Sequence, residues 1–518
     1  MRYRLWLAGA LLCLNGPVTG LELNPQEAAG KRLYLHGEGA GGSLVQARVG
    51  AAGTVLPASV LPCASCHGAD GRGRPEGGVR PPAILWRRLT LAYGGRLSHG
   101  RTRPPYDEHT FARAVTEGRD PAGERLDPAM PRFVMSLRDM NNLTAYLKRL
   151  EEDGDPGLKE NSLRIGSLLP KAGARAEMGA TVAGVLEEVF SRINDNGGIH
   201  GRRLELVVVD PGDTRASAEA ALDELQESEP VFALLAPLVP GLDGALAEWA
   251  EAMGIPLIGP LDPYADGNHR SMVFRALAGL REQLQALGDF AGDMLPPDGR
   301  SAVIAYSEPA HQRELAEFLA EQLRHSGWPR VQLLDNRQQS GTDEPITTPN
   351  QALFFIGASQ DFVDLAEQWH ASGRRPYLFA VSAQVAGEVL NLPRSFSERV
   401  FLAYPFLPSD WTSAGAAELA AIRQSRQLGG RYTALQVQAY SAAVLLGEGL
   451  KRSGRDASRK KLVTALEALY GFNTGLSPAL NFGPGKRVGA AGAHVVTVDL
   501  ETRRFRPLGP YLRIEDSL

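Results

Sequence analysis

Residues 62–75 read "PCASCHGADGRGRP", which sets Cys63, Cys66 and His67 in the order C-x-x-C-H ahead of a glycine-rich turn. Two thiols at this spacing with an imidazole directly behind them serve several chemistries. They can close a disulfide, begin a zinc site, or form thioethers to the vinyl groups of a porphyrin while the histidine stands under its iron. Zinc needs more ligands, and the chain has three cysteines, the third being the distant Cys13. A thioredoxin-like pair belongs at the end of a strand that opens a helix, whereas "GTVLPASVLP" (53–62) is broken by prolines. The disulfide and haem readings remain open on the motif alone.

The N-terminus, "MRYRLWLAGALLCLNGPVTGLELN" (1–24), carries two arginines, an apolar run from Leu5 to Leu14, and small residues up to Gly20. This is a secretory signal pattern, with the signal peptide spanning 1–20, and it predicts export to the periplasm. Lipidation of Cys13 is disfavoured because Ala10 and Leu12 poorly suit the positions before a lipidated cysteine. No later stretch reaches the roughly 18 apolar residues of a membrane span. After cleavage, Cys63 and Cys66 are the cysteines that remain.

The chain's 518 residues suit about three compact units of roughly 150 residues. Its 43% hydrophobic and 22% charged residues are a globular composition. A net charge of −4 with dispersed Lys and Arg excludes nucleic acid as the expected partner.

Around the motif, four segments agree. Upstream, "AAGKRLYLHG" (28–37) offers a glycine and an aromatic for close helix packing. "HGADGRG" (67–73) gives a turn able to clear a haem edge. "PPYDEHTFARAVTEGRDPAGERLDPAM" (104–130) predicts a short helix, Glu108 to Glu117, ended by Gly118, then a loop delivering Met130. In "MPRFVMSLRDMNNLTAYLKRL" (130–150), Met140, Leu143, Tyr146, Leu147 and Leu150 recur at helical spacing, and Ser136 with Asp139 forms a capping-box variant. Together these segments resemble a class I c-type cytochrome over 25–150, an all-α domain. The segment 37–62 departs from that family, being longer and richer in glycine than the usual connection to the attachment motif.

The resemblance implies one covalent haem c on Cys63 and Cys66, with His67 as proximal ligand. Candidates for the sixth ligand are Met130, Met135 and Met140, with His36, His99 and His109 as rivals. The resemblance and the loop before Met130-Pro-Arg-Phe favour Met130, leaving Met135 and Met140 as packing residues. A His67/Met130 pair closes the iron to substrate and implies electron transfer rather than catalysis.

"EEDGDPGLKENS" (151–162) reads as a linker. Beyond it, the short apolar runs "LRIGSLLP", "RRLELVVVD", "VFALLAPL", "GIPLIGP", "SAVIAYS", "ALFFIGA" and "YLFAVSA" alternate with amphipathic stretches. That alternation predicts parallel sheets with helices on both faces, an α/β unit in two lobes. "INDNGGIHGRRLELVVVDPGDTRASAEAALDEL" (193–225), "EAMGIPLIGP" (251–260), "QVQAYSAAVLLGEGL" (436–450) and "FNTGLSPALNFGPGKRVGAAGAHVVTVDL" (472–500) resemble the type I periplasmic binding proteins of the branched-chain amino-acid receptor branch. The likeness covers 163–510, with the first lobe at about 163–277, the second at about 278–404, and a C-terminal part crossing back.

The family's ligand-gripping residues mostly fail to carry over. "PKAGARAEMG" (170–179) lacks hydroxyls, and in "APLVPGLDG" (236–244) Pro240 also removes a backbone donor. Near "AVSAQVAG" (380–387), Ser382 and Gln384 stand where a carboxylate for an α-ammonium is expected. Tyr306 and Ser382 are the cleft candidates. Without partners a charged amino acid is costly to bury, so the cleft is expected to take an apolar or aromatic molecule, an altered ligand, or none.

No Ser/His/Asp set or phosphate-binding glycine loop points to an enzyme. The expected function is a periplasmic haem c electron-transfer protein whose fused binding-protein unit docks or senses for a redox partner, by family analogy a quinoprotein dehydrogenase. The alternative is an ABC-transporter-type solute receptor carrying an accessory cytochrome c.

Overall fold

The computed structural model describes residues 23–50, 53–68, 70–73, 79–92, 95–96, 102–151, 153–239, 243–261, 271–307, 310–336 and 350–514. Residues 1–20, which the sequence predicts to be a signal peptide, lie outside them, as do His99 and Pro240. Contacts divide the chain into two compact units, one up to Lys159 and one from Glu160. Among the described residues no helix is long and apolar enough to cross a membrane.

The first unit is built on helices α1 (Pro25–His36), α2 (Cys63–His67), α3 (Trp86–Leu89), α4 (Glu108–Glu117) and α5 (Leu137–Arg149). A capping box starts α1: the Asn24 side chain accepts from the backbone N–H groups of Gln26 and Glu27, and Glu27 accepts from that of Asn24. Helices α1 and α5 cross so closely that a Cβ on Gly30 would lie 2.0 Å from the Asn142 carbonyl oxygen. The buried rings of Tyr34 and Tyr146 meet beside that crossing at 5.7 Å. Met140, Leu143, Tyr146, Leu147 and Leu150 form the buried stripe of α5 and its end.

Ser136 does cap α5, accepting from the Asp139 N–H, but the box is not reciprocal. Aspartate is one methylene shorter than the usual glutamate. The Asp139 carboxylate accepts instead from the Ser136 hydroxyl (2.6 Å), the Ser43 hydroxyl (2.6 Å) and the Ala40 N–H (2.8 Å). It thereby ties the glycine-rich segment after α1 onto α5.

That segment adds a small sheet to the helical frame. Strands β1 (Gln46–Val49) and β2 (Thr54–Pro57) form an antiparallel hairpin, β3 (Gly95–Arg96) pairs with β4 (Thr102–Arg103), and β1 also pairs antiparallel with β5 (Arg132–Val134). Ala47 faces Leu56 on one side and Phe133 on the other, and both Ala47 and Phe133 are buried. The strands are too short and weakly alternating to announce themselves in sequence.

The second unit has two sheets. In the first, β6 (Ser162–Leu168), β7 (Arg203–Val209), β8 (Ala233–Leu235), β9 (Leu257–Ile258) and β10 (Val273–Leu277) are parallel. The second contains parallel β11 (Arg300–Tyr306), β12 (Val331–Asp335), β13 (Asn350–Ile356), β14 (Tyr377–Val381) and β15 (Val400–Tyr404). C-terminal β16 (Val488–Ala490) joins the first sheet, while β17 (Gly492–Asp499) and β18 (Arg504–Arg513) extend the second antiparallel. Continuous apolar runs fit strands covered on both faces. Along β11, Ala302, Ile304 and Tyr306 enter one core, while Val303 and Ala305 enter the other. Phe354, Phe379 and Phe401 stack across β13, β14 and β15 at 4.9 and 5.1 Å.

The chain passes between these lobes after Leu277, after Tyr404, and between Ala490 and Gly492. Two of the crossings are tied together: His494 Nε2 lies 3.0 and 2.9 Å from the Asp410 carboxylate oxygens. The helix Ser413–Ser425 returns to the first lobe, where Glu418 pairs with Arg192 at 2.9 Å.

Candidate functional site

Helix α2 is a little over one turn long, and it carries Cys63, Cys66 and His67 at positions i, i+3 and i+4 of one face. All three line a single cavity that opens to solvent. Its walls are apolar, with Ile84, Phe111, Val115, Phe133, Leu143 and Leu147 among them. Both cysteines are free thiols and half-buried. Burial, reinforced by the neighbouring Cys66 and opposed by a backbone hydrogen bond, pushes the Cys63 thiol up to about 12.

His67 is 8% exposed. Burial holds its pKa below the ordinary imidazole value, although the Pro82 carbonyl opposes the shift. Its Nδ1 lies 3.0 Å from that carbonyl oxygen. A carbonyl can only accept, so Nδ1 carries the proton and Nε2 of the neutral ring keeps its lone pair. The carbonyl is positioned by a tight approach: Gly73, at φ +88°, donates its N–H to the His67 carbonyl, and a Cβ there would lie 2.2 Å from the Pro81 oxygen. The Tyr34 hydroxyl donates to the Gly68 carbonyl at 2.6 Å and anchors the end of α2 against α1.

Met130 lines the same cavity, at the end of a turn in which its N–H donates to Asp127 O at 3.1 Å. Arg132 gathers this loop, donating to the carbonyls of Leu126 (3.0 Å), Asp127 (3.3 Å) and Met130. The other sulfur candidates are elsewhere: Met140 is buried in the α5 stripe and Met135 packs half-buried against the same core. His36 and His109 are exposed on α1 and α4 and do not line the cavity.

The residues present fit a haem. An apolar slot, two thiols on one helical face, an imidazole with a bare Nε2 and a thioether in the same lining make up a chemically suitable set. Sequence reading supplied these groups but missed Pro82, Arg132 and the cross-chain role of Asp139. Their partners are backbone atoms or side chains far along the chain, so no spacing reveals them.

In the second unit, Tyr306 ends β11 within one buried core, and Ser382 opens the short helix Ser382–Val385. The cavity between the lobes is lined by other residues, from Gly259 to Leu261, Arg275 to Gly279, Gln283, Ala383, Pro405 and Gln438. The first lobe's strand ends there are apolar: Leu238 and Leu261 are buried, and the Leu261 N–H donates to the Pro237 carbonyl.

Comparison with known proteins accounts for both units. Residues 59–151 match the cytochrome c family model, and residues 162–502 match the model for periplasmic binding proteins. No curated protein matches the chain by sequence. Among solved structures, a fatty acid ABC transporter substrate-binding protein from Thermomonospora curvata shares 17% identity at TM-score 0.53, covering 70% of this chain and 95% of that one. A branched-chain amino acid ABC transporter protein from Thermus thermophilus, solved with bound valine, shares 15% at TM-score 0.52, over 69% and 97% of the respective chains. A type 1 periplasmic binding protein from Bordetella pertussis Tohama I shares 17% at TM-score 0.51, over 68% and 100%. Identities this low show a common fold alone. The binding-protein match spans more than half of the sequence, so the chain belongs to the periplasmic binding protein family and carries a cytochrome c domain ahead of that fold.

Proposed function

We propose that this protein is an exported electron carrier whose cytochrome c domain exchanges electrons with a partner protein, while its binding-protein unit docks or senses for that partner. The observation that carries the reading is the convergence of Cys63, Cys66, His67 and Met130 on one apolar cavity. Haem, when bound, supplies one-electron redox chemistry. Cys63 and Cys66 would tether it, His67 would present Nε2 in the tautomer that Pro82 fixes, and Met130 would offer a thioether from a loop that Arg132 holds. Where the walls are apolar they would limit water around the ring and so favour a raised potential. A periplasmic dehydrogenase, of which quinoproteins are one class, is a suitable electron donor.

A second reading is a solute receptor with an accessory cytochrome, favoured by the binding-protein match over 162–502 and by the cavity between the lobes. Mass spectrometry of the protein from a periplasm competent in haem attachment, native and denatured, tests both readings. A haem increment that survives denaturation supports the electron carrier, and its absence returns Cys63 and Cys66 to a disulfide. A further mass present only in the native spectrum supports a ligand-binding role.

A further inference from the structure

We propose that the β1–β2 hairpin is a brace that keeps Met130 on the haem iron, acting through Arg132 as a positioning residue. The proposal rests on the reading of the first unit as a haem-binding electron carrier. It gives a role to the glycine-rich segment 37–62, where the chain departs from the cytochrome pattern.

Met130 belongs to the loop that follows Gly118, the cap of α4, and β5 begins two residues after it. Strand β1 lies between β2 and β5. Its Ala47 stands opposite Phe133, which lines the haem cavity, and its Arg48 stands opposite Arg132. The hairpin is itself anchored to both long helices of the unit. The Ala58 N–H donates to the Val45 carbonyl at 2.9 Å, and a Cβ on Gly37, which closes α1, would collide with the Ala58 backbone. On the other side the Asp139 carboxylate holds Ala40 and Ser43 against α5.

Arg132 carries this anchorage back to the ligand. Its fork donates to the carbonyls of Leu126, Asp127 and Met130, and it lies so close to Gly118 that a Cβ there would collide with Nε. Arg48, directly across the strands, offers a like charge rather than a partner, so the guanidinium turns to the loop carbonyls. An ammonium on a flexible stem cannot reproduce a planar fork that holds three oxygens. A sulfur on a loop fixed in this way loses little freedom on ligation, which raises its effective concentration at the iron.

Imidazole, which competes with a thioether for ferric haem, tests the brace on the full-length, haem-loaded protein. Arg132→Lys should bind imidazole about tenfold more tightly than the wild type, the worth of one lost hydrogen bond to a charged group. It should also lower the reduction potential and weaken the near-infrared sulfur-to-iron absorption band. Ala47→Leu overpacks the contact between β1 and β5 and should move the same readouts in the same direction by less. Asn24→Ala removes the α1 cap and should lower stability in denaturant melts without changing imidazole affinity. Unchanged imidazole affinity in Arg132→Lys, or an equal rise in Asn24→Ala, overturns the proposal. If Arg132→Lys yields no haem-loaded protein, Ala47→Leu decides by the same criterion. Where the brace fails, a haem increment that survives denaturation leaves the electron-carrier reading standing, and a wild type without that increment removes both.

Discussion

The two cavities of this chain are assembled in opposite ways. The haem cavity takes Cys63, Cys66 and His67 from a single five-residue helix, whereas the cavity between the lobes gathers its lining from segments between Gly259 and Gln438. The first has its chemistry written locally and its orientation supplied from afar, by Pro82, Arg132 and the α1–α5 crossing. In the second, even the chemistry exists only after three chain crossings have brought the lobes together. Covalent attachment needs a fixed short spacing, while recognition by two closing lobes needs groups on both sides of a hinge.

The sharpest way to break this contrast is to remove the local chemistry. Cys63→Ser with Cys66→Ser should abolish covalent haem completely, read as loss of the increment in the denatured mass, while leaving the stability of the second unit unchanged in denaturant melts. Retention of the increment would dissociate the motif from the cavity. Next in size is Met130→Ala, which should open the iron to carbon monoxide and lower the reduction potential, whereas Met135→Ala should leave both as they were. A Met130 variant with an unchanged carbon monoxide spectrum would remove that residue from the ligand set.

Two smaller effects sharpen the view that distant packing orients the site. Gly30→Ala places a methyl against the Asn142 carbonyl and should cost the first unit about 1–3 kcal/mol in denaturant melts. Wild-type stability in this variant would mean that the α1–α5 crossing yields freely. Asp139→Asn should cost about 1–2 kcal/mol at neutral pH, through weakened bonds to Ser43 and Ala40. Burial raises the Asp139 pKa, but the Ser136 and Ser43 hydroxyls and the Ala40 N–H outweigh it and hold the carboxyl below its ordinary value. A depressed folded-state pKa means the stabilisation is complete above the unfolded value of about 4 and is lost as pH falls through the folded one. Acid melts should therefore show the wild type's advantage shrinking below about pH 4, and a constant gap between the two proteins would refute the carboxylate's role.

Much of the architecture was legible because it rests on repeating local patterns. Helix α4 runs from Glu108 to Glu117 and ends at Gly118 as its sequence implies, since Asp107 caps it and glycine adopts the left-handed turn. The apolar runs of the second unit became parallel strands because burial on both faces leaves no polar alternation to confuse them. The hairpin β1–β2 was not legible: its four-residue strands gain their meaning from pairing with β5, some 85 residues on.

By itself, the sequence determined the haem attachment motif, the order of the two units and the alternation of strand and helix, because these depend on covalent spacing and on periodicities of a few residues. Only the tertiary structure decided which methionine shares a cavity with His67, which carbonyl sets its tautomer, and which side chains face one another between the lobes. Those depend on hydrogen bonds and packing between residues far apart in the chain, and no short-range pattern records such pairings.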